Sequence, residues 1–132
     1  MPIPVIYRDL EAWKLAMDLV EHCYKTSSSV PRAELYGLTS QLRRAAVSIP
    51  SNVAEGYCRR KTKVYANHVS IALGSHGELE TCVELASRLG FLSVTDRQGL
   101  QDLSDSVGRL LSDLFRSLEE KIAREDARRP SS

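Results

Sequence analysis

Three histidines, three cysteines and one close group of glutamates are the side chains of this sequence suited to catalysis or metal binding. In a helical protein the most economical metal centre is a di-metal carboxylate site, which places Glu-x-x-His on two helices because positions i and i+3 project together. The residues three before His22, His68 and His76 are Leu19, Tyr65 and Leu73, so that motif is absent. Cys23, Cys58 and Cys82 are an odd set without C-x-x-C spacing, the usage of a reduced, cytoplasmic protein rather than a disulfide scaffold. Cys58 has no histidine or second cysteine beside it in sequence to make it a nucleophile. His76 falls on an apolar helical stripe and reads as a core histidine bonded to a polar neighbour. Glu78, Glu80 and Glu84 read as a solvated helix flank, with Glu78 and Glu80 available to a partner's arginines. Gly74-Ser75-His76-Gly77 sits inside a helical period, whereas a phosphate loop needs its glycines in a strand-to-helix turn. No catalytic residue, metal ligand or cofactor site is legible, and a non-enzyme is expected.

Charge is the more informative chemistry. Lysines and arginines number 18 against 17 acids, a net charge of +1. That neutrality is a cancellation between segments. From Leu38 through Ala66, Arg43, Arg44, Arg59, Arg60, Lys61 and Lys63 face only Glu55, a local charge of +5. From Glu78 through Ser106, six acids face two arginines, a local charge of −4. The basic segment suits phosphate contacts with RNA or DNA, which release counterions and make binding salt-dependent. Aromatic residues for stacking are sparse there, with Tyr57 and Tyr65 alone at its edge. The alternative is a protein–protein scaffold, in which Arg43 and Arg44 pair with carboxylates such as Glu78 or Glu80 across a subunit boundary.

The elements that carry these residues are helices. The chain has 132 residues, 42% hydrophobic and 27% charged, enough for one core and too apolar for a disordered segment. No apolar run approaches the ~18 residues of a membrane span, and no secretory signal opens the chain. Apolar residues recur every three or four positions. The first stripe is Leu10, Trp13, Met17, Val20 and Tyr24, and the second is Leu35, Leu38, Leu42, Ala45 and Ile49. Pro50 then predicts a kink, with Asn52 and Glu55 as a capping pair for the restart and an end near Gly56. Arg59 through Lys63 read as a basic turn. The third stripe runs Tyr65, Val69, Ala72, His76, Leu79, Val83 and Ala86, closed by Gly90 in a left-handed cap. Thr95 or Asp96 caps the fourth, whose inner face is Leu100, Leu103, Val107, Leu110, Leu111, Leu114, Leu118 and Ile122. The expected architecture is an all-α, up-down-up-down four-helix bundle over residues 7–123, after an N-terminal extension of residues 1–6 and before a frayed tail, 124–132.

The third helix carries a second pattern. Ser70, Gly74, Gly77 and Thr81 form a row of small residues about 155° from its apolar stripe, with Ile71 and Leu85 beside it. Two glycines within one helix cost about 2 kcal/mol relative to alanine. Close approach of another backbone would compensate. That backbone belongs either to a neighbouring helix of the same bundle or to a second subunit.

Several motifs together carry a family resemblance. They are Leu10-Glu11-Ala12-Trp13-Lys14-Leu15-Ala16, then Tyr36-Gly37-Leu38-Thr39-Ser40-Gln41-Leu42-Arg43-Arg44-Ala45-Ala46, then Ser48-Ile49-Pro50-Ser51-Asn52-Val53-Ala54-Glu55-Gly56. Tyr65, Ala72-Leu73-Gly74-Ser75, Glu78-Leu79-Glu80-Thr81 and Leu89-Gly90 follow in order. From about Tyr7 to Ile122 the chain resembles the bacterial four-helix bundle proteins encoded within intervening sequences of 23S ribosomal RNA genes. The resemblance implies assembly into a closed ring, a homopentamer. A related branch, the accessory variability determinants of diversity-generating retroelements, binds nucleic acid and a reverse transcriptase. Carried over by position, Arg43 and Arg44 in Gln-Leu-Arg-Arg, and Arg59 and Arg60 after Glu-Gly, are the basic residues to test. His76 within Gly-Ser-His-Gly-Glu-Leu-Glu departs from the pattern and carries no functional expectation.

Overall fold

The computed structural model describes residues 6–129. Four long helices are present among them, with no strand: α1 (Glu11–Ser27), α2 (Ser40–Cys58), α3 (Thr62–Arg88) and α4 (Val94–Ala127). α1 packs on α2 and α4, and α3 packs on α2 and α4. The array is a four-helix bundle. Of the expected N-terminal extension, residues 1–5 lie outside the described residues, as do residues 130–132 of the tail.

The core is built from one face of each helix. Ala16, Leu19 and Cys23 of α1 meet Leu42, Ala46, Ile49 and Val53 of α2, Ala72 and Leu79 of α3, and Leu100, Val107 and Leu111 of α4. Burial of this apolar surface, at about 25 cal/mol per Å², is the main force holding the helices together. The stripe read on α1 needs correction. Met17 and Tyr24 are 42% and 45% exposed, while Ala12, Ala16, Leu19 and Cys23 point inward. Three of these four are small, which lets α1 lie close to its neighbours, while Leu10, Trp13 and Val20 pack at the edge of the core.

Two capping readings also differ from expectation. α2 is one helix through Pro50, as expected, although proline offers no N–H to the carbonyl of Ala46. Asn52 does not cap a restart: its amide donates back to the carbonyl and Oγ of Ser48, at 2.9 and 3.0 Å. At α4 the cap is Ser93, whose Oγ accepts from the Asp96 N–H at 3.0 Å. Gly90 behaves as read, with φ +76. There the Phe91 N–H donates to the Ala86 carbonyl and the Gly90 N–H to the Ser87 carbonyl, the paired bonds of a Schellman end.

The helices differ in length. At about 1.5 Å per residue, α1 and α2 span ~25–29 Å, whereas α3 and α4 span ~40 and ~51 Å. A second, smaller core sits where the far half of α4 passes the start of α3. It holds Ala66, Val69 and Leu118, flanked by Tyr65, Leu114, Phe115 and Ile122. α4 stays helical through Arg124–Ala127, where sequence alone expects a frayed tail. The cause is local pairing: Thr62 Oγ1 donates to Glu125 at 3.0 Å, and Lys63 pairs with Asp126 at 3.4 Å. This end of the bundle carries the basic turn.

Candidate functional site

The six basic residues singled out in the sequence fall into two groups. Arg43 and Arg44 sit in α2. Arg43 is half-buried, its guanidinium 4.7 Å from the Tyr24 ring centre and its Nε donating to Ser27 Oγ at 2.9 Å. Arg44, the next residue, is exposed. Neither arginine pairs with Glu78 or Glu80 within the chain. The other group begins 15 residues further on, so at ~1.5 Å per residue roughly 20 Å of helix separates them. That exceeds the ~8 Å screening length at physiological salt, so the two groups act as separate patches.

Within the second group the charges are unequal. Arg59 is held by Glu55 at 3.2 Å, and Lys63 by Asp126. Arg60 and Lys61 are exposed and make no ion pair among the described residues. The true turn is only Arg59–Lys61, because Lys63 already lies in the first turn of α3. Arg60 carries it with φ 59, a left-handed conformation that favours glycine. Beside the turn lies a cavity of about 260 Å³ walled by Tyr57, Tyr65, Arg60, Lys61, Leu118 and Lys121. Lys121 was not found by sequence reasoning. It lies in another helix some 60 residues away, and no local pattern points to it.

The two tyrosines meet edge to face, ring centres 5.7 Å apart. Burial, with a smaller contribution from Tyr57, pushes the Tyr65 hydroxyl up to about 12. That hydroxyl is buried without a hydrogen-bond partner among the described residues.

The small row of α3 faces outward. Ser70, Gly74, Gly77 and Thr81 are all exposed, and a methyl group added at either glycine would meet nothing within 4 Å. α3 does touch two helices of its own bundle, but not through this row. Ile71 and Leu85 beside it are 45% and 47% exposed. On another face, Trp13, Met17 and Val20 of α1 and Val47, Pro50 and Ala54 of α2 line an apolar groove of about 380 Å³.

A serine–histidine–glutamate group lies between α3 and α4; the sequence predicts a polar neighbour for His76, but Ser104 and its link to Glu80 are unread from it. His76 Nε2 is 3.0 Å from Ser104 Oγ and 2.7 Å from the Ser104 carbonyl, while Ser104 Oγ donates to Glu80 at 3.2 Å. Gln101 donates to the same Glu80 oxygen at 3.2 Å. The geometry is that of a helix-to-helix clamp. A nucleophilic serine would donate to the histidine and stand open to substrate. Ser104 instead is buried in the middle of α4 and donates to the carboxylate. His76 is thus a bonded core histidine.

Burial raises the Cys23 thiol to about 12, and burial followed by Glu78 raises that of Cys82. Cys58 is exposed. Among the described residues no group of three or more His, Cys, Asp or Glu could hold a metal ion, and no helix is long and apolar enough to cross a membrane.

Comparison with known proteins agrees with this architecture. A crystal structure of a protein of unknown function from the S23 ribosomal protein family of Bacteroides thetaiotaomicron superposes with a TM-score of 0.73 at 18% identity, covering 80% of this chain and 95% of that one. At that identity the likeness is one of fold. No curated protein matches the sequence significantly. Residues 8–113 match the family described as 23S rRNA-intervening sequence protein. That span takes in α1, α2, α3 and more than half of α4, and the chain belongs to this family.

Proposed function

We propose that the protein is a non-enzymatic, ring-forming helical bundle that binds structured RNA or DNA through repeated basic patches. The observation that carries this reading is that three of the six basic residues singled out in the sequence are exposed and make no ion pair among the described residues: Arg44 on α2, and Arg60 and Lys61 at the end of the bundle. Cations already neutralised by their own chain have less to gain from a phosphate. Arg59 and Lys63 are therefore supporting members, and Arg43 is a structural one. Contacts of this kind bind broadly rather than reading base sequence.

The ring follows from the family resemblance and is supported by two unfilled surfaces on one chain. The small row of α3 with Ile71 and Leu85 is a shallow face, and the apolar α1–α2 groove is a recess. Two unlike faces on one protomer make head-to-tail contacts, which close into rings when the rotation permits. A homopentamer would present five copies of each patch, turning modest single-site affinity into avidity.

The test is binding of a structured RNA by the purified oligomer across a salt series, with oligomer mass measured in the same buffers. A log K that falls linearly with log salt at constant mass supports phosphate contacts by an intact ring. Arg59→Glu with Arg60→Glu should weaken retention of the RNA without changing that mass. Absence of binding at low salt would overturn the reading. The protein–protein alternative then gains: reverse-charge variants at Arg43 or Arg44 would disrupt assembly, and a compensating swap at Glu78 or Glu80 would restore it.

A further inference from the structure

The cavity at the end of the bundle has a composition that a general basic patch does not require. Its cations, Arg60, Lys61 and Lys121, come from the turn and from α4, and no acid lines it among the described residues. Two acids on the adjoining helix ends are held by other cations, and a third accepts from a hydroxyl. Glu55 holds Arg59, Asp126 holds Lys63, and Glu125 accepts from Thr62. Three positively charged residues thus line one recess, and no carboxylate lines it among the described residues. The turn that presents Arg60 takes a conformation natural to glycine or asparagine. That conformation belongs to the helix end, where the Arg60 N–H donates to the Tyr57 carbonyl at 3.2 Å, and it places Arg60 in the cavity wall.

The remaining walls are apolar and aromatic: Tyr57, Tyr65 and Leu118. A lone phosphate would need only the cations. A site that adds two phenol rings and a leucine suits a phosphate with a flat or apolar body attached. The volume, about 260 Å³, falls below the ~300–1,000 Å³ of sites for drug-sized ligands. That is the scale of a single nucleotide rather than of a dinucleotide.

We infer that this cavity takes one unpaired nucleotide of a single-stranded segment, its phosphate on Arg60, Lys61 and Lys121 and its base against Tyr57 and Tyr65. The inference rests on the nucleic-acid reading above and narrows it to loops, bulges and ends. Bases stacked in a duplex cannot enter such a recess, whereas unstacked ones can be splayed onto aromatic side chains.

Fluorescence anisotropy on the full-length oligomer tests this with a labelled single-stranded RNA of about 12 nucleotides, within the site sizes of single-strand binders, and the blunt duplex of the same sequence, both at low salt. The single strand should bind about tenfold more tightly, as expected where one base stacks. Lys121→Gln should weaken the single strand about fivefold and lower its salt slope by about 0.7, the value for one phosphate on a single strand. The duplex should change less than about twofold, because its phosphates do not reach the recess. Tyr57→Leu should cost about tenfold on the single strand alone, in keeping with the removal of one stacked base. Lys121 is exposed, so its variant folds and decides the matter even where Tyr57→Leu does not. A nucleoside monophosphate should displace the single strand at concentrations where inorganic phosphate does not. Equal displacement by both would overturn the base contact. Equal affinity for single strand and duplex, or Lys121→Gln acting equally on both, would overturn the cavity as a nucleotide site while leaving general phosphate binding intact. No binding of either nucleic acid would overturn both readings.

Discussion

Glycine is used in opposite ways on the two sides of α3. On the inner side Gly56 of α2 meets α3 so closely that an added methyl would lie 2.6 Å from His68 Cβ and 3.1 Å from the Tyr65 ring. On the outer side Gly74 and Gly77 face open space. Each glycine within a helix costs about 1 kcal/mol relative to alanine. At Gly56 the return is visible, because close approach lets Ser48 and Asn52 reach across. Ser48 Oγ lies 2.7 Å from Ser75 Oγ, and His68 Nδ1 lies 3.0 Å from Asn52 Oδ1. At Gly74 and Gly77 nothing within the described residues returns the cost. The difference teaches that the inner seam is complete within one chain, whereas no contact among the described residues offsets the cost of the outer row.

The most forceful way to break this comparison is Gly56→Val. The branched side chain has no room against His68 Cβ, and overpacking of this kind costs about 3 kcal/mol. A fall in melting temperature by roughly 10 °C or more is expected for a domain of this size. An unchanged melting temperature would mean that α2 and α3 are not held in this register.

Next in size is Gly74→Ala with Gly77→Ala. On a solvent-facing helix the pair should stabilise the isolated chain by about 2 kcal/mol. A subunit interface built on these glycines predicts the opposite for assembly, because two methyl groups would hold the neighbour away. The expected outcome is a fall in oligomer mass by light scattering together with a more stable monomer in urea. Unchanged mass would remove Ser70, Gly74, Gly77 and Thr81 from the interface.

A smaller effect is expected at Tyr65→Phe, on the inner side. Removing a buried hydroxyl that lacks a partner should raise stability by about 1 kcal/mol near neutral pH. The pH dependence has a definite sign. A phenol raised from 10.0 to about 12 keeps its proton in the folded state and releases it on unfolding, so stability is lost as pH rises through that window. Cys23, raised from 9.0 to about 12, acts in the same direction from a lower starting point. The phenylalanine variant should retain the Cys23 and Cys82 parts of the alkaline decline and lose the Tyr65 part, as measured by urea melts between about pH 8 and 11.

The legibility of the sequence followed side-chain size. On α3 the buried stripe of Val69, Ala72, Leu79, Val83 and Ala86 stood out because, with His76 between Ala72 and Leu79, it recurs without a break at three- and four-residue steps. On α1 the stripe of large residues is right only in part. Leu10, Trp13 and Val20 pack against the core, but Met17 and Tyr24 are outward, Tyr24 serving the Arg43 guanidinium, while Ala12, Ala16, Leu19 and Cys23 make the buried face. A reading weighted by apolar bulk misses the alanines and the cysteine of such a helix. The candidate site was legible as a count of cations and not as an arrangement. Arg59 and Glu55 are four apart on one helix, a spacing that pairs them from sequence alone. Lys63 and Asp126, or Arg60 and Lys121, meet only because α4 outruns α1 and α2, and no periodicity encodes that meeting.

The smallest effects sharpen the division between free and neutralised cations. Arg59→Gln and Lys63→Gln each remove one exposed ion pair, worth at most about 0.5 kcal/mol of stability. Each should also leave RNA affinity within about twofold, because the charge removed was already balanced by its own carboxylate. Arg60→Gln or Lys61→Gln removes an unbalanced charge, and the slope of log K against log salt should fall by about 0.7–0.9 for each phosphate no longer neutralised. Charge number alone would predict equal effects from all four substitutions. Unequal effects in this order would show that the carboxylates of α2 and α4, rather than the number of lysines and arginines, determine where the protein meets phosphate.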